Sequence, residues 1–202
     1  MTPVIPSGSP GQGGLTNKDQ VIEDEIHRLS SCEEVKMKSD VFGLLRAAGP
    51  NPEYADKLML YGRLVGAWNI EATYFEKDGT KREVAGEWYF DWILGGMGVQ
   101  DILFAAGTAP ERRGTSLRCY DPALDSWHIA WMQPWGGEFV NLLGRWVGED
   151  IVQDEIVCSG SRQVRWTFSN VTADSFVWRG EVSTDGGASW FLEQEMRGRR
   201  RV

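Results

Sequence analysis

The sequence has 202 residues, 42% of them apolar and 25% charged. That is the make-up of an ordinary globular protein, with enough chain to close a core without disulfide staples. Its 21 Lys and Arg stand against 29 Asp and Glu, and the resulting net charge of −8 lacks the positive footprint that a nucleic-acid partner requires. No apolar run approaches the roughly 20 residues of a membrane-spanning helix, so a membrane partner is not expected either.

Taken in chain order, residues 1–15 are Gly- and Pro-rich with little to bury, and they read as disordered. They show neither a basic stretch nor an apolar leader, and the three cysteines (Cys32, Cys119, Cys158) are odd in number and widely spaced. Both features fit a cytoplasmic protein. Residues 16–62 read as a helical extension or cap. Val21, Ile26 and Leu29, then Val41, Leu44 and Leu45, keep roughly helical spacing. Gly49-Pro50 stops that run, and Asn51-Pro52 opens a short helix reaching about Tyr61, with Asn as cap and Pro in the first turn.

From residue 63 to 200 the pattern changes to period-two alternation, the mark of half-buried strands. Turn chemistry recurs at Asp78-Gly79, Gly95-Gly96, Gly107 to Pro110, Asp121-Pro122 and Gly136-Gly137. It continues at Gly148 to Asp150, Gly160-Ser161, Asn170 to Asp174 and Asp185 to Gly187. Nine turns with no helix-length segment between them predict about eight to ten short strands in a mainly β, antiparallel, up-and-down arrangement. Closure into a barrel removes the edge strands, and a two-sheet sandwich is the alternative. A barrel of that size can hold one small ligand.

The ten tryptophans are the departure from average composition, and all of them lie between Trp68 and Trp190. Trp88, Phe90 and Trp92 share one strand face, as do Trp127, Ile129 and Trp131, and also Phe176, Trp178 and Val182. Such rings either fill a core or line a cavity for a flat or conjugated ligand, and both roles can coexist. None lies in residues 1–67, which predicts that the helical segment is an appendage to the barrel.

Leu64-Val65-Gly66-Ala67-Trp68 follows the short helix and opens the first strand. It resembles the G-x-W start of the lipocalin and calycin barrels, in which the preceding turn closes the base and the Trp plugs it. The later run of Asp121-Pro122, Trp127 to Trp131, Arg165-Trp166-x-Phe168, Trp178 to Glu181 and Asp185 to Trp190 is similar to uncharacterised bacterial calycin-like proteins. The resemblance covers roughly residues 58–200 and implies small-molecule binding without fixing any chemistry. The chain departs from true lipocalins in lacking a T-D-Y motif. If the analogy holds, Trp68, Ile70, Ala72 and Tyr74 point inward and Asn69, Glu71 and Thr73 outward. Ser183 to Trp190 also resembles the Asp-box of sialidase propellers, but a propeller repeats that motif and this chain carries it once, so a structural hairpin is expected.

With only His27 and His128, and no C-x-x-C or H-x-x-x-H spacing, no metal site is predicted. No cofactor is predicted, haem held by His128 being the alternative. No strand–Gly-rich loop–helix motif supports a nucleotide, and no G-x-S-x-G elbow supports a serine nucleophile. The chemistry then rests on polar residues set among aromatic strands. Asp101, His128 and Glu181 are the candidate acid–base groups. Tyr74, Trp88, Trp92, Trp127, Trp131, Arg145, Trp178, Arg179 and Glu195 are the candidate ligand contacts. If the charged faces point outward, these charges are solvated cross-strand pairs worth about 0.2–1 kcal/mol each. The functional expectation is a barrel that binds an apolar or aromatic small molecule, with or without its cofactor-free cyclisation, isomerisation or dehydration. A non-catalytic carrier and a protein-interaction module are the alternatives. A homodimer, or the N-terminal helices, would cover any apolar outer face.

Overall fold

The computed structural model describes residues 40–156 and 161–201. The disordered stretch expected over 1–15, the helical spacing read at Val21 to Leu29, Cys32 and Cys158 lie outside them. The chain divides into two units, Met1–Leu44 and Leu45–Val202. In the first, Leu44 N donates to Asp40 O at 3.0 Å and Phe42 N to the Asp40 carboxylate at 3.2 Å, opening the five-residue helix α1 (Val41–Leu45). Among the described residues no helix is long and apolar enough to cross a membrane.

The second unit is a closed antiparallel barrel. Its ten described strands are β1 (Gly66–Phe75), β2 (Lys81–Ile93), β3 (Gly98–Ala105), β4 (Thr115–Asp121), β5 (Ser126–Gln133), β6 (Glu138–Val147), β7 (Asp150–Glu155), β8 (Gln163–Ser169), β9 (Ser175–Ser183) and β10 (Phe191–Arg200). Each pairs with its neighbour in sequence, and β1 pairs with β10 to close the ring. No sandwich edge remains unpaired, which is the solution that next-door connection favours. Each connection carries one of the turn signals read from the sequence, Gly160 in the β7–β8 link lying outside the described residues.

The predicted inward parity of β1 holds. Trp68, Ile70 and Ala72 are buried and Asn69 and Glu71 are exposed. Trp88, Phe90 and Trp92 of β2, Trp127 and Ile129 of β5, and Phe176, Trp178 and Val182 of β9 are likewise interior.

One end of the barrel is plugged by the segment that precedes β1. Asn51 caps a 3-10 turn (Pro52–Tyr54) by accepting from Glu53 N at 3.0 Å, and helix α2 (Ala55–Gly62) follows. Leu58, Leu60 and Tyr61 of α2 belong to the barrel core. Tyr61 meets Trp127 edge-on at 4.8 Å and Phe168 at 6.5 Å. The expectation that residues 16–62 form one appendage is therefore divided, because α2 supplies the base of the core. Tryptophan is not needed for that role. The buried tyrosine and leucines of α2 remove enough apolar surface from water to seat the helix.

Trp68 closes the same end. Its indole N–H donates to Leu64 O at 2.7 Å, its ring packs edge-on to Phe176 at 4.8 Å, and the Arg200 guanidinium stacks on it at 4.1 Å. Arg200 also donates to Val65 O at 2.8 Å and Arg63 O at 2.9 Å, and to Ala173 O. Arg197, Arg199 and Arg200 belong to strand β10, and Arg200 ties β10 to the turn before β1. Gly66 has φ +128, and a Cβ there would lie 2.6 Å from Arg200 Nη1, so this clasp needs glycine.

Gly144 of β6 is held to glycine by space. An added Cβ would overlap Tyr61 Oη and sit 2.8 Å from Ile129 Cδ1. Gly144→Ala is expected to destabilise the fold by about 1–3 kcal/mol, since overpacking forces neighbours off their rotamers. A urea midpoint unchanged from wild type would show that α2 can shift freely.

The Asp185 hairpin joins β9 to β10. The Asp185 carboxylate accepts from Ser189 N at 2.9 Å, Ser189 Oγ at 2.6 Å and Ser183 Oγ at 2.8 Å, while Gly186 and Gly187 take positive φ. These hydrogen bonds, that from the Ser189 hydroxyl foremost, hold the Asp185 carboxyl down at about 2 from its ordinary 3.8. A folded-state value below the unfolded one stabilises at pH above the unfolded value and is lost as pH falls through the folded value. The turn is therefore expected to loosen between about pH 4 and 2, and Asp185→Asn to abolish that part of the acid transition. Amide exchange of Ser189 N–H against pH is the measurement.

Candidate functional site

A cavity of about 740 Å³ occupies the barrel interior at the end away from α2. Its wall is a run of indoles contributed by four strands. Trp131 of β5 meets Trp166 of β8 at 6.1 Å, Trp166 meets Trp178 of β9 at 5.7 Å, and Trp178 meets Trp88 of β2 at 6.2 Å. All four are inward residues of period-two strands, and the T-shaped and tilted packing is what ring quadrupoles favour. Tyr74 and Phe139 stand toward the mouth, where the β1–β2 and β5–β6 turns also line the cavity. Phe139 is 64% exposed, and Arg82 stacks on Tyr74 at 4.1 Å.

The inner end of the cavity is polar. Ser116 and Arg118 of β4 point inward, and both are 1% exposed. Arg118 Nη1 forms an ion pair with Asp101 Oδ2, and Ser116 N donates to Asp101 Oδ1 at 2.7 Å, so each Asp101 oxygen has a partner. The register explains the meeting. Val99 of β3 lies opposite Arg118 and Gln100 opposite Leu117, which brings Asp101 beside Ser116. The Arg118 guanidinium also lies 5.2 Å over the Tyr61 ring and 5.5 Å from that of Phe90. Burial pushes the Tyr61 phenol far above its ordinary value, with Arg118 opposing, so Tyr61 stays protonated.

Among the described residues, five buried in this interior carry side-chain polar atoms without a hydrogen-bond partner. They are Tyr61 Oη, Trp88 Nε1, Ser116 Oγ, Arg118 Nε and both amide atoms of Gln153. Trp88, Ser116 and Arg118 line the cavity itself. Gln153 of β7 sits between Gly144 and Trp166 in the sheet. Buried polar groups are normally paired, so this concentration distinguishes the inner end from the rest of the core.

The structure places the sequence-predicted residues in three groups. Tyr74, Trp88, Trp131 and Trp178 line the cavity. Trp92 and Trp127 are buried at the α2 end, and Asp101 lies behind the inner wall with Arg118. His128, Arg145, Arg179, Glu181 and Glu195 lie on the outer wall. His128 contacts Asp121 at 3.1 Å, Arg145 pairs with Asp154 at 2.8 Å, and Arg179 pairs with Glu195 at 2.9 Å. Glu181 alternates with the inward Gly180 and Val182. The His128 and Arg145 pairs are partly solvated and contribute little, whereas Glu195 sits mostly buried between Arg179 and Arg197. Sequence reasoning passed over Ser116, Arg118, Gln153 and Trp166. The signal for Trp166 was its parity with Phe168. The signal for β4 was the inward Asp101 on the neighbouring strand, which requires a cation beside it.

Among the described residues no group of three or more His, Cys, Asp and Glu side chains is placed to hold a metal ion. Cys119 of β4 is a free, half-buried thiol, pushed up by burial.

No protein-family model matches the chain, and no curated protein matches it. Solved structures do. Rv2717c from M. tuberculosis is 13% identical over 73% of this chain and 99% of its own, with a TM-score of 0.52. An S-type phycobiliprotein lyase, CPES, from Guillardia theta is 9% identical over 71% of this chain and 92% of its own, with a TM-score of 0.38. A protein of unknown function from the DUF3598 family of Nostoc punctiforme is 6% identical over 72% of this chain and 99% of its own, with a TM-score of 0.24. The last two superpose too loosely to bear on the argument. The likeness to Rv2717c is one of fold: a barrel of this architecture, nearly the whole of that chain, is shared with residues of very different identity.

Proposed function

We propose that the protein binds an apolar or aromatic small molecule inside the barrel, in the manner of a calycin-like binding protein. The observation that carries this reading is the contiguous wall of Trp131, Trp166, Trp178 and Trp88 around a cavity of about 740 Å³. That volume falls within the roughly 300–1,000 Å³ of small-ligand sites. Each square ångström of apolar ligand surface taken from water there contributes about 25 cal/mol, and the rigid rings lose little entropy on binding.

Binding, more than turnover, is what the acid–base groups support. His128 and Glu181 face away from the cavity, and both oxygens of Asp101 already accept hydrogen bonds. Cofactor-free cyclisation, isomerisation or dehydration would have to run chiefly on geometry, by holding a flexible substrate near its attack conformation.

The test is a fluorescence titration of the full chain with N-phenyl-1-naphthylamine, a neutral apolar probe. Val140→Trp places a further indole in the cavity from β6, and its affinity for the probe is expected to fall tenfold or more at an unchanged melting temperature. Equal affinity in the two proteins would mean that the probe sits elsewhere and that the cavity reading is wrong.

A further inference from the structure

We propose that the inner end of the cavity is a subsite for a neutral hydrogen-bond acceptor, a carbonyl oxygen carried on an aromatic skeleton. This rests on the reading of the cavity as a ligand site and names the class of ligand. Three residues that line the cavity each carry a buried side-chain polar atom without a hydrogen-bond partner: Trp88 Nε1, Ser116 Oγ and Arg118 Nε. Two of them are N–H groups that can only donate, and the serine hydroxyl can donate as well. A ligand atom that pairs with either N–H must therefore accept, and the hydroxyl can serve the same kind of atom.

Charge decides which acceptor. Arg118 is already neutralised by Asp101 within a pair whose side chains are 1% and 0% exposed. A carboxylate added there would leave a net negative charge in a desolvated site, a cost that a buried pair cannot offset. A carbonyl oxygen has two lone pairs and no net charge, and the same donors that punish an unpaired state reward it. The indole wall selects the rest of the molecule. Trp88 belongs to both parts, with its ring in the wall and its N–H at the subsite. A ligand stacked along the indoles thus brings its carbonyl end to Ser116 and Arg118.

The experiment uses three probes with one skeleton: 2-acetylanthracene, 2-ethylanthracene and anthracene-2-carboxylate, titrated against the full chain by tryptophan quenching. The ketone is expected to bind about tenfold or more tightly than the ethyl compound. Its C=O stretch in the complex should fall below the value in hydrocarbon solvent. Ser116→Ala removes one donor at little structural risk, and is expected to lower the ketone's affinity several-fold more than that of the ethyl compound. A merely structural serine would move both affinities together. Equal binding of ketone and ethyl compound, with an unshifted stretch, would overturn the acceptor subsite and leave the apolar cavity standing. Tightest binding of the carboxylate would overturn the neutral-acceptor assignment in favour of an anion site. Failure of all three to bind would overturn the cavity reading and this one with it.

Discussion

Arg118→Met is expected to cost the fold about 3–5 kcal/mol, because it leaves Asp101 as an uncompensated charge in the barrel interior. The size follows from burial. Both partners are essentially without solvent contact, and in the wild type the Asp101 carboxylate accepts from Arg118 and from Ser116 N. Removal of the guanidinium leaves only the backbone donor. The companion variant, Arg118→Met with Asp101→Leu, replaces both charges by apolar groups of similar size. It is expected to recover most of the loss, since a hydrophobic pair in such a place is often as stable as the ion pair it replaces. Urea unfolding of both variants at neutral pH, analysed with a common slope, gives the comparison. A single variant within 1 kcal/mol of wild type would mean that solvent reaches Asp101. A double variant no better than the single would mean that the polar layer is needed for the fold itself, and that its retention says nothing about a ligand.

Trp68→Ala is expected to destabilise by a similar 3–5 kcal/mol, through a different mechanism. The indole is fully buried in the barrel core, edge-on to Phe176, and its deletion leaves a void that the packed base cannot collapse to fill. It also strands Leu64 O, and it removes the surface on which the Arg200 guanidinium rests. Trp68→Phe should cost markedly less, because the ring stack survives and only part of the volume and one hydrogen bond are lost. Thermal unfolding distinguishes the two. Equal effects would put the cost in the Leu64 hydrogen bond and not in packing. Because Trp68 lies at the plugged end, neither variant is expected to change the carbonyl preference of the cavity.

The architecture was legible in residues 63–200 because two independent signals agree there. Strand alternation says which residues share a face, and the nine turn signals say where each strand stops. Their conjunction leaves a next-door-connected ring as the simplest solution. Site residues were legible only as far as face. Trp88 and Trp92 have the same parity on β2, yet Trp88 lines the cavity and Trp92 packs near Gly62 at the base. Period two carries no information about depth along the barrel axis, and so Trp127 and Trp131 divide in the same way on β5. The charged candidates failed to converge for a related reason. His128, Arg145, Arg179, Glu181 and Glu195 are embedded among aromatic residues in sequence, but the pleat sends them to the other face. Strand β4 misleads in the opposite sense. Leu117 and Cys119 occupy its outer face while Ser116 and Arg118 point in. A rule that sends apolar residues inward inverts this strand, and only the cross-strand carboxylate of Asp101 explains why the inversion is stable.

The pairing of β1 with β10 has a kinetic consequence. Trp68 lies opposite Arg200 in that ladder, and the Arg200 side chain bonds to Val65 and Arg63, so the last seam joins the first strand of the barrel to the last. Neighbouring strands can zip as hairpins within microseconds, but this seam must wait for the largest loop in the domain to close. Until then β1 and β10 each present an unpaired edge beside exposed indoles, the form in which β-rich chains associate with one another. Slow, concentration-sensitive refolding is therefore expected of this topology, with the arginine clasp across the seam holding the finished ring closed.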